Sequence, residues 1–182
     1  MEKLKEIAER LFEGGKRLFG LRFYEESLKC FETVLEIDPR SLNAWIWRGR
    51  VLIYLKRSTQ AIGCFDYALS IDEKCVIAWA FKAEALETLG QFTQELECID
   101  KGLTLDPACD GLWFMKANRL WLMHRYEESL ECCNKVISLT PEDAWAWVLK
   151  AIVLYRLNRK KESEECAEKA IELDLSFEPP SE

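Results

Sequence analysis

The sequence has no long apolar run. Its longest mostly apolar stretch, AWAWVLKAIVLY at 144–155, contains Lys150 and is shorter than the about 20 residues that a membrane-spanning helix needs. The N-terminal segment MEKLKEIAER alternates charged and apolar residues, so it lacks the apolar core of a secretory signal. We therefore expect a cytoplasmic protein that makes no contact with membranes.

Motifs of catalysis and metal binding are also missing from the sequence. There is no C-x₂-C pair, no H-E-x-x-H and no glycine-rich phosphate-binding motif. The single histidine, His124, falls in a predicted turn, where a surface role is more common than a catalytic one. The net charge of −7 repels phosphate backbones. We therefore expect a protein that is not an enzyme, needs no cofactor or metal, and does not bind nucleic acid.

What the sequence does contain is a repeat. Nearly the same seven residues occur as YEESLKC at 24–30 and as YEESLEC at 126–132, and their separation of 102 positions is three times 34. Steps of 34 also connect tryptophan at 45, 79, 113 and 147, leucine at 18, 52, 86, 120 and 154, and small residues at 15, 49, 83, 117 and 151. Such a period is typical of stacked repeat folds. The predicted repeats are 8–41, 42–75, 76–109, 110–143 and 144–177, followed by a tail at 178–182.

Each repeat contains two stretches with helical periodicity. Trp45, Gly49 and Leu52 are spaced i, i+4, i+7 in one stretch, and the polar turn KRS at 56–58 separates it from a second amphipathic stretch at 59–72. A single helical hairpin leaves much of its apolar face in water, so neighbouring hairpins must stack. The pattern predicts an all-α fold in a single domain, residues 1–182.

Five of the eight cysteines follow the same period, at 30, 64, 98, 132 and 166. Equivalent residues of stacked helices lie about 8–10 Å apart or more, whereas a disulfide requires α-carbons within about 7 Å. We therefore expect reduced thiols with a packing role, as is usual in the cytosol.

The segments WIWRGRVLIY (45–54) and RYEESLECC (125–133), with Asp-Pro at 38–39 and 106–107, resemble the tetratricopeptide repeat. That family has a helix–turn–helix unit of about 34 residues, and the resemblance extends over about residues 8–177. It implies a right-handed superhelical solenoid of five helix–turn–helix repeats. It also implies a protein-binding scaffold, although the fold alone does not identify a ligand.

Two features depart from the family pattern. Basic residues stand at 48, 82, 116 and 150, where the family prefers leucine, and we expect their stems to pack while their charges reach solvent. Glu95 interrupts a column of small residues at 27, 61, 129 and 163. Either its carboxylate is half-buried beside a lysine, or the third repeat is slightly open there.

The first helices of stacked hairpins should line a concave groove. A solvent-facing groove is ordinarily polar, but a helical wheel places many aromatic residues on this one, and large exposed apolar patches usually mark interaction sites. We therefore predict that the groove binds a protein or peptide. The predicted partner-binding residues are Phe12, Lys16, Ile46, Trp47, Arg50, Phe81, Glu84, Phe114, Asn118, Trp121, Trp145 and Tyr155.

Three functions are compatible with such a groove. The first is an adaptor that binds a peptide or helix. The second is a self-associating homo-oligomer whose groove receives another copy or the chain's own end, LSFEPPSE at 175–182. The third is a regulatory subunit of an enzyme assembly. A fourth interpretation is that the aromatic residues pack on one another and bind nothing.

Overall fold

The computed structural model describes residues 2–175, with side chains to residue 174. Within this part of the chain all regular structure is helical, and each odd-numbered helix packs against the even-numbered helix that follows it. The predicted all-α fold of five hairpins is therefore confirmed. The helices are α1 Glu2–Gly20, α2 Tyr24–Ile37, α3 Leu42–Tyr54, α4 Ser58–Ile71, α5 Val76–Thr88, α6 Phe92–Leu105, α7 Asp110–Leu122, α8 Tyr126–Leu139, α9 Ala144–Arg156 and α10 Lys160–Leu175.

The chain divides into two compact units. Unit 1, Met1–Leu105, holds the first three hairpins, and unit 2, Asp106–Glu182, holds the last two. The boundary lies between the second helix of one repeat and the first helix of the next, so no hairpin is divided. Each unit has buried apolar clusters of its own.

One turn geometry joins the two helices of every hairpin. The second residue after the first helix has a positive φ in all five repeats, and the N–H of the residue that follows it donates to a carbonyl five residues earlier, as from Arg57 to Leu52 at 2.8 Å. This is the Schellman arrangement, in which glycine is favoured. Only the third repeat has glycine there. The residues are Arg22, Lys56, Gly90, His124 and Asn158, with φ of 65°, 61°, 71°, 61° and 59°.

Each tryptophan of the column is hydrogen-bonded to the turn that precedes its own helix. Each indole N–H donates to the main-chain carbonyl six residues earlier at 2.9 Å, and the acceptors are Pro39, Glu73, Pro107 and Pro141. Because the acceptor is a main-chain atom, Glu73 replaces proline without loss of the bond. The basic residue three positions after each tryptophan lies 5.4–5.7 Å from the ring centre. Two of these cations also pair with the preceding hairpin, Arg48 with Glu32 and Lys82 with Asp66.

Small residues allow the two helices of a hairpin to approach closely. The hydroxyls of Ser27, Ser129 and Ser163 donate to the carbonyls of Gly15, Ala117 and Ala151 at 2.7–2.8 Å. Glu95 occupies the equivalent place in the third repeat and is only 1% exposed. Its side chain is therefore fully buried, and not half-buried as one of the two sequence interpretations had it.

All eight cysteines are free thiols, and five of them are buried. Burial raises the pKa of Cys133 to about 12, and the neighbouring Cys132 adds to this shift. A thiol with such a pKa is almost entirely protonated at neutral pH and is a poor nucleophile. The buried cysteines therefore act as small apolar packing residues.

Candidate protein-binding surface

The surface of interest in unit 1 is formed by α1, α3 and α5, which are the first helices of the three hairpins. The middle helix, α3, contacts both α1 and α5. We call the outward side of these three helices the first-helix face of unit 1. Its central residues are Trp47, Arg50 and Tyr54 on α3, flanked by residues of α1 and α5.

Aromatic rings of α1 and α3 pack together on this face. The Phe19 ring lies 5.6 Å from Trp47 and 4.9 Å from Tyr54, both nearly perpendicular to it, and Phe12 lies 6.5 Å from Trp47. Trp47 is also stacked on the fully buried Phe31 at 5.9 Å. Edge-to-face contacts of this kind fix ring orientations. The face therefore carries an ordered group of rings, of which Tyr54 remains 49% exposed.

Arg50 lies in the middle of these rings. Its guanidinium carbon is 4.4 Å from the centre of Trp47, 4.7 Å from Phe81 and 5.2 Å from Phe19. These rings come from three different hairpins, so one cation connects all three repeats of unit 1. Its Nε is buried and has no hydrogen-bond partner among the described residues. Cation–π contacts stabilise the guanidinium in place but leave its N–H groups available.

Two further charged residues flank Arg50. Lys16 on α1 lies 6.0 Å from the centre of the Trp47 ring and pairs with Glu13 at 3.1 Å. Glu84 on α5 is half-buried, and burial raises the pKa of its carboxyl; Arg50 opposes that shift and Glu87 adds to it. The charge of the face therefore changes from positive near α1 and α3 to negative at α5.

The structure brings together six of the predicted residues, and it corrects one. Phe12, Lys16, Trp47, Arg50, Phe81 and Glu84 lie on or beside the first-helix face of unit 1.

Ile46 is different, because it is buried at 6% exposure against Ala68, Leu69 and Ala78. Its prediction as a surface residue is wrong, since α3 is covered on both flanks by neighbouring helices. The exposed strip of α3 lies one helical position away.

Tyr54 belongs to this face and is absent from the predicted set. It follows Arg50 by four positions and Trp47 by seven, so it lies on the same strip of α3. It also contacts Tyr24 of α2 at 5.2 Å. A helical wheel whose exposed side is centred on Trp47 and Arg50 includes Tyr54, whereas one whose exposed side also contains Ile46 is rotated away from Tyr54.

A depression lies next to this face, around the N-terminal half of α1. It has a volume of about 560 Å³ and shares Phe12 with the aromatic group. Its lining is mixed in polarity and comprises Leu4, Lys5, Ala8, Glu9, Phe12, Val34, Ile37, Asp38, Ser41 and Asn43.

The remaining predicted residues belong to unit 2. Phe114 and Trp121 are partly buried against the core cluster of that unit. Asn118, which lies between them in the sequence, is half-buried. Trp145 and Tyr155 on α9 are 73% and 62% exposed. Unit 2 therefore also carries exposed aromatic side chains, on α9 rather than α7. The predicted occupation of a groove by LSFEPPSE concerns residues that are almost entirely outside the described part of the chain.

Residues 2–175 contain no group of three or more metal-binding side chains, and none of their helices is long and apolar enough to cross a membrane. His124 is exposed in its turn, with Nδ1 2.6 Å from the Tyr126 hydroxyl. This position matches the surface role predicted for it.

Comparison with known proteins identifies the repeat. Family models described as tetratricopeptide repeat match residues 12–74, 76–109, 111–143 and 146–177. No curated protein sequence matches the chain.

Several solved structures have the same fold. MamA of Desulfovibrio magneticus RS-1, from residue 41 to its end, is 19% identical with a TM-score of 0.82, covering 94% of this chain and 97% of that one. PilF of Pseudomonas aeruginosa is 15% identical with a TM-score of 0.85, covering 93% and 78%. YrrB, described as a tetratricopeptide repeat protein with an unusual peptide-binding site, is 19% identical with a TM-score of 0.72, covering 97% and 91%.

Proposed function

Since the chain belongs to the tetratricopeptide repeat family, whose fold is typical of protein-interaction scaffolds, we propose that it is a scaffold that binds a segment of a partner protein. The proposed binding surface is the first-helix face of unit 1. No catalytic role is proposed.

The observation that carries this proposal is the group of aromatic rings around Trp47. The Phe19 ring contacts both Trp47 and Tyr54 edge to face, and Tyr54 still exposes half of its surface. Aromatic anchors contribute much of the energy in protein interfaces. Rings that are already ordered lose little further freedom when a partner binds. The peptide-binding site that YrrB is described as having supports the use of this fold for such a purpose.

The test uses a random 12-residue peptide library displayed on phage and selected against the full chain. Peptides are then measured on wild-type protein, on Tyr54→Ser and on Tyr67→Ser. Tyr67 is a matched control because it lies on α4, a second helix, and is 42% exposed. We expect Tyr54→Ser to weaken binding at least about tenfold and Tyr67→Ser to leave it unchanged. Equal binding by both variants would place the interaction elsewhere.

Self-association is the second candidate, and the exposed residues of α9 favour it. Trp145, Ile152 and Tyr155 are 73%, 40% and 62% exposed on one side of that helix. Large exposed apolar patches mark interaction sites. Size-exclusion chromatography with light scattering should show an oligomer that Trp145→Ser dissociates. A wild-type chain that stays monomeric at all concentrations would remove this candidate.

A further inference from the structure

We propose that the partner segment is acidic and that Arg50 binds one of its carboxylates. This inference rests on the proposed function, since it names the chemistry recognised by the same face. It adds a specific anchor, a specific ligand group and a direction for the bound segment.

The first argument is the environment of the guanidinium. Three rings from three hairpins surround Arg50, with its Cζ 4.4–5.2 Å from their centres. The rings satisfy the carbon face of the group but supply no acceptor for its N–H donors. A planar guanidinium held in one orientation matches a carboxylate, which accepts two parallel N–H bonds.

The second argument is the absence of an internal acceptor. Four other arginines of the described chain, Arg48, Arg57, Arg125 and Arg159, each pair with a glutamate. Within residues 2–175, Arg50 makes no hydrogen bond or ion pair. Its Nε is buried without a partner, as is that of Arg48, but the Arg48 guanidinium is bonded to Glu32 through another nitrogen. A buried donor without a partner is costly, and a hydrogen bond to a charged group is stronger than one between neutral groups. A ligand carboxylate supplies the missing acceptor.

The third argument concerns direction. Lys16 lies beside the same Trp47 ring, on the α1 side of Arg50. Glu84 lies on α5, on the opposite side, and is near enough for its titration to respond to Arg50. A carboxylate is repelled by Glu84 and attracted toward Lys16, whose charge is partly offset by its ion pair with Glu13. The acidic residue of the segment should therefore lie toward α1, and the part that crosses α5 should be neutral or basic.

The experiment extends the peptide selection with Arg50→Gln and a control, Arg57→Gln. Arg57 is a suitable control because it lies in the turn before α4 and pairs with Glu25 on the surface, where such pairs contribute little. We expect selected peptides to be enriched in Asp or Glu at one position. Arg50→Gln should weaken their binding at least about tenfold, and Arg57→Gln should not. Arg50→Lys, which keeps the charge without the planar fork, should give an intermediate loss.

A second change is made on the peptide, so that the result does not depend on how well an Arg50 variant folds. Replacing the enriched Asp by Asn should weaken binding to wild-type protein by the same factor, and it should have little further effect on Arg50→Gln. Peptides that require Tyr54 but show no acidic enrichment, or that bind Arg50→Gln unchanged, would overturn this inference and leave the proposed function standing. Selection of no peptide that requires Tyr54 would overturn both.

Discussion

The hairpin interiors of unit 1 and unit 2 solve one packing problem with different residues. In the first two repeats a glycine of the first helix faces a phenylalanine of the second, Gly15 with Phe31 and Gly49 with Phe65. In the two repeats of unit 2 the equivalent positions hold alanine on the first helix and Cys133 or Ala167 on the second. The large ring is therefore present only where the opposing residue has no side chain. A phenylalanine on the second helix is therefore accompanied by glycine on the first, and alanine on the first helix is accompanied by a smaller side chain on the second.

The geometry explains why the exchange must be paired. A Cβ added at Gly49 would lie 2.5 Å from Cε1 of Phe65 and 2.6 Å from its Cζ. The Phe65 ring is 0% exposed and has no room to move away. At Gly15 the corresponding distance to Cζ of Phe31 is 2.9 Å, so the overlap is smaller.

The largest predicted effect is at Gly49. Gly49→Ala should lower the free energy of unfolding by about 2 kcal/mol, because overpacking in a rigid core outweighs the higher helix propensity of alanine. Adding Phe65→Ile, the residue found in the third repeat at Ile99, should recover most of the loss. Urea denaturation of the single and double variants measures this. A double variant less stable than Gly49→Ala would mean that the pair does not share one space.

The reverse exchange in unit 2 should have a smaller effect. Ala117→Gly creates no clash and should cost about 1 kcal/mol from lost helix propensity and a lost methyl contact. The same change of residue type is therefore destabilising in both directions, for different reasons. A stabilising Ala117→Gly would show that unit 2 is as crowded at this position as the first repeats are.

The turns offer a third comparison, between repeats 3 and 4. Gly90 has φ of 71°, and a Cβ there would meet nothing closer than Phe92 Cζ at 3.8 Å, so Gly90→Ala tests backbone strain alone. It should cost about 1 kcal/mol. His124→Gly relieves the same backbone strain at φ of 61°. Because glycine also raises the conformational entropy of the unfolded chain, the resulting increase in stability should be smaller than the loss at Gly90→Ala. Thermal unfolding should move in opposite directions for the two variants; shifts of one sign would contradict the common turn geometry.

The smallest predicted effect concerns Glu84, where unit 2 has the neutral Asn118. Burial raises the pKa of the Glu84 carboxyl above its ordinary 4.5. The folded state then favours the protonated form, so wild-type stability should fall as the pH rises through the raised pKa. Glu84→Gln removes this loss. Its stability relative to wild type should be near zero below pH 4.5 and should increase toward neutrality. If the stability advantage of Glu84→Gln over wild type became smaller as the pH rises, the pKa of Glu84 would be lowered by folding, contrary to this prediction.

The sequence period was sufficient to predict the hairpins, because residues in columns 34 apart experience the same surroundings in every repeat. The period was not sufficient to predict which residues of α3 are exposed. Ile46 is placed outside by a single-helix wheel, but α3 has neighbours on both flanks and buries it. The enclosure of Arg50 depends on rings from three hairpins, and no local pattern contains that information. The burial of Glu95 could not be predicted from the sequence for the same reason, since it depends on how α5 packs against α6.

The most direct test of the account is amide hydrogen exchange of the full chain with and without a saturating selected peptide. The account predicts new protection in the outward parts of α1, α3 and α5, centred on Trp47 and Arg50. Protection confined to α2, α4 and α6, or to unit 2, would contradict the assignment of the first-helix face of unit 1 as the binding surface.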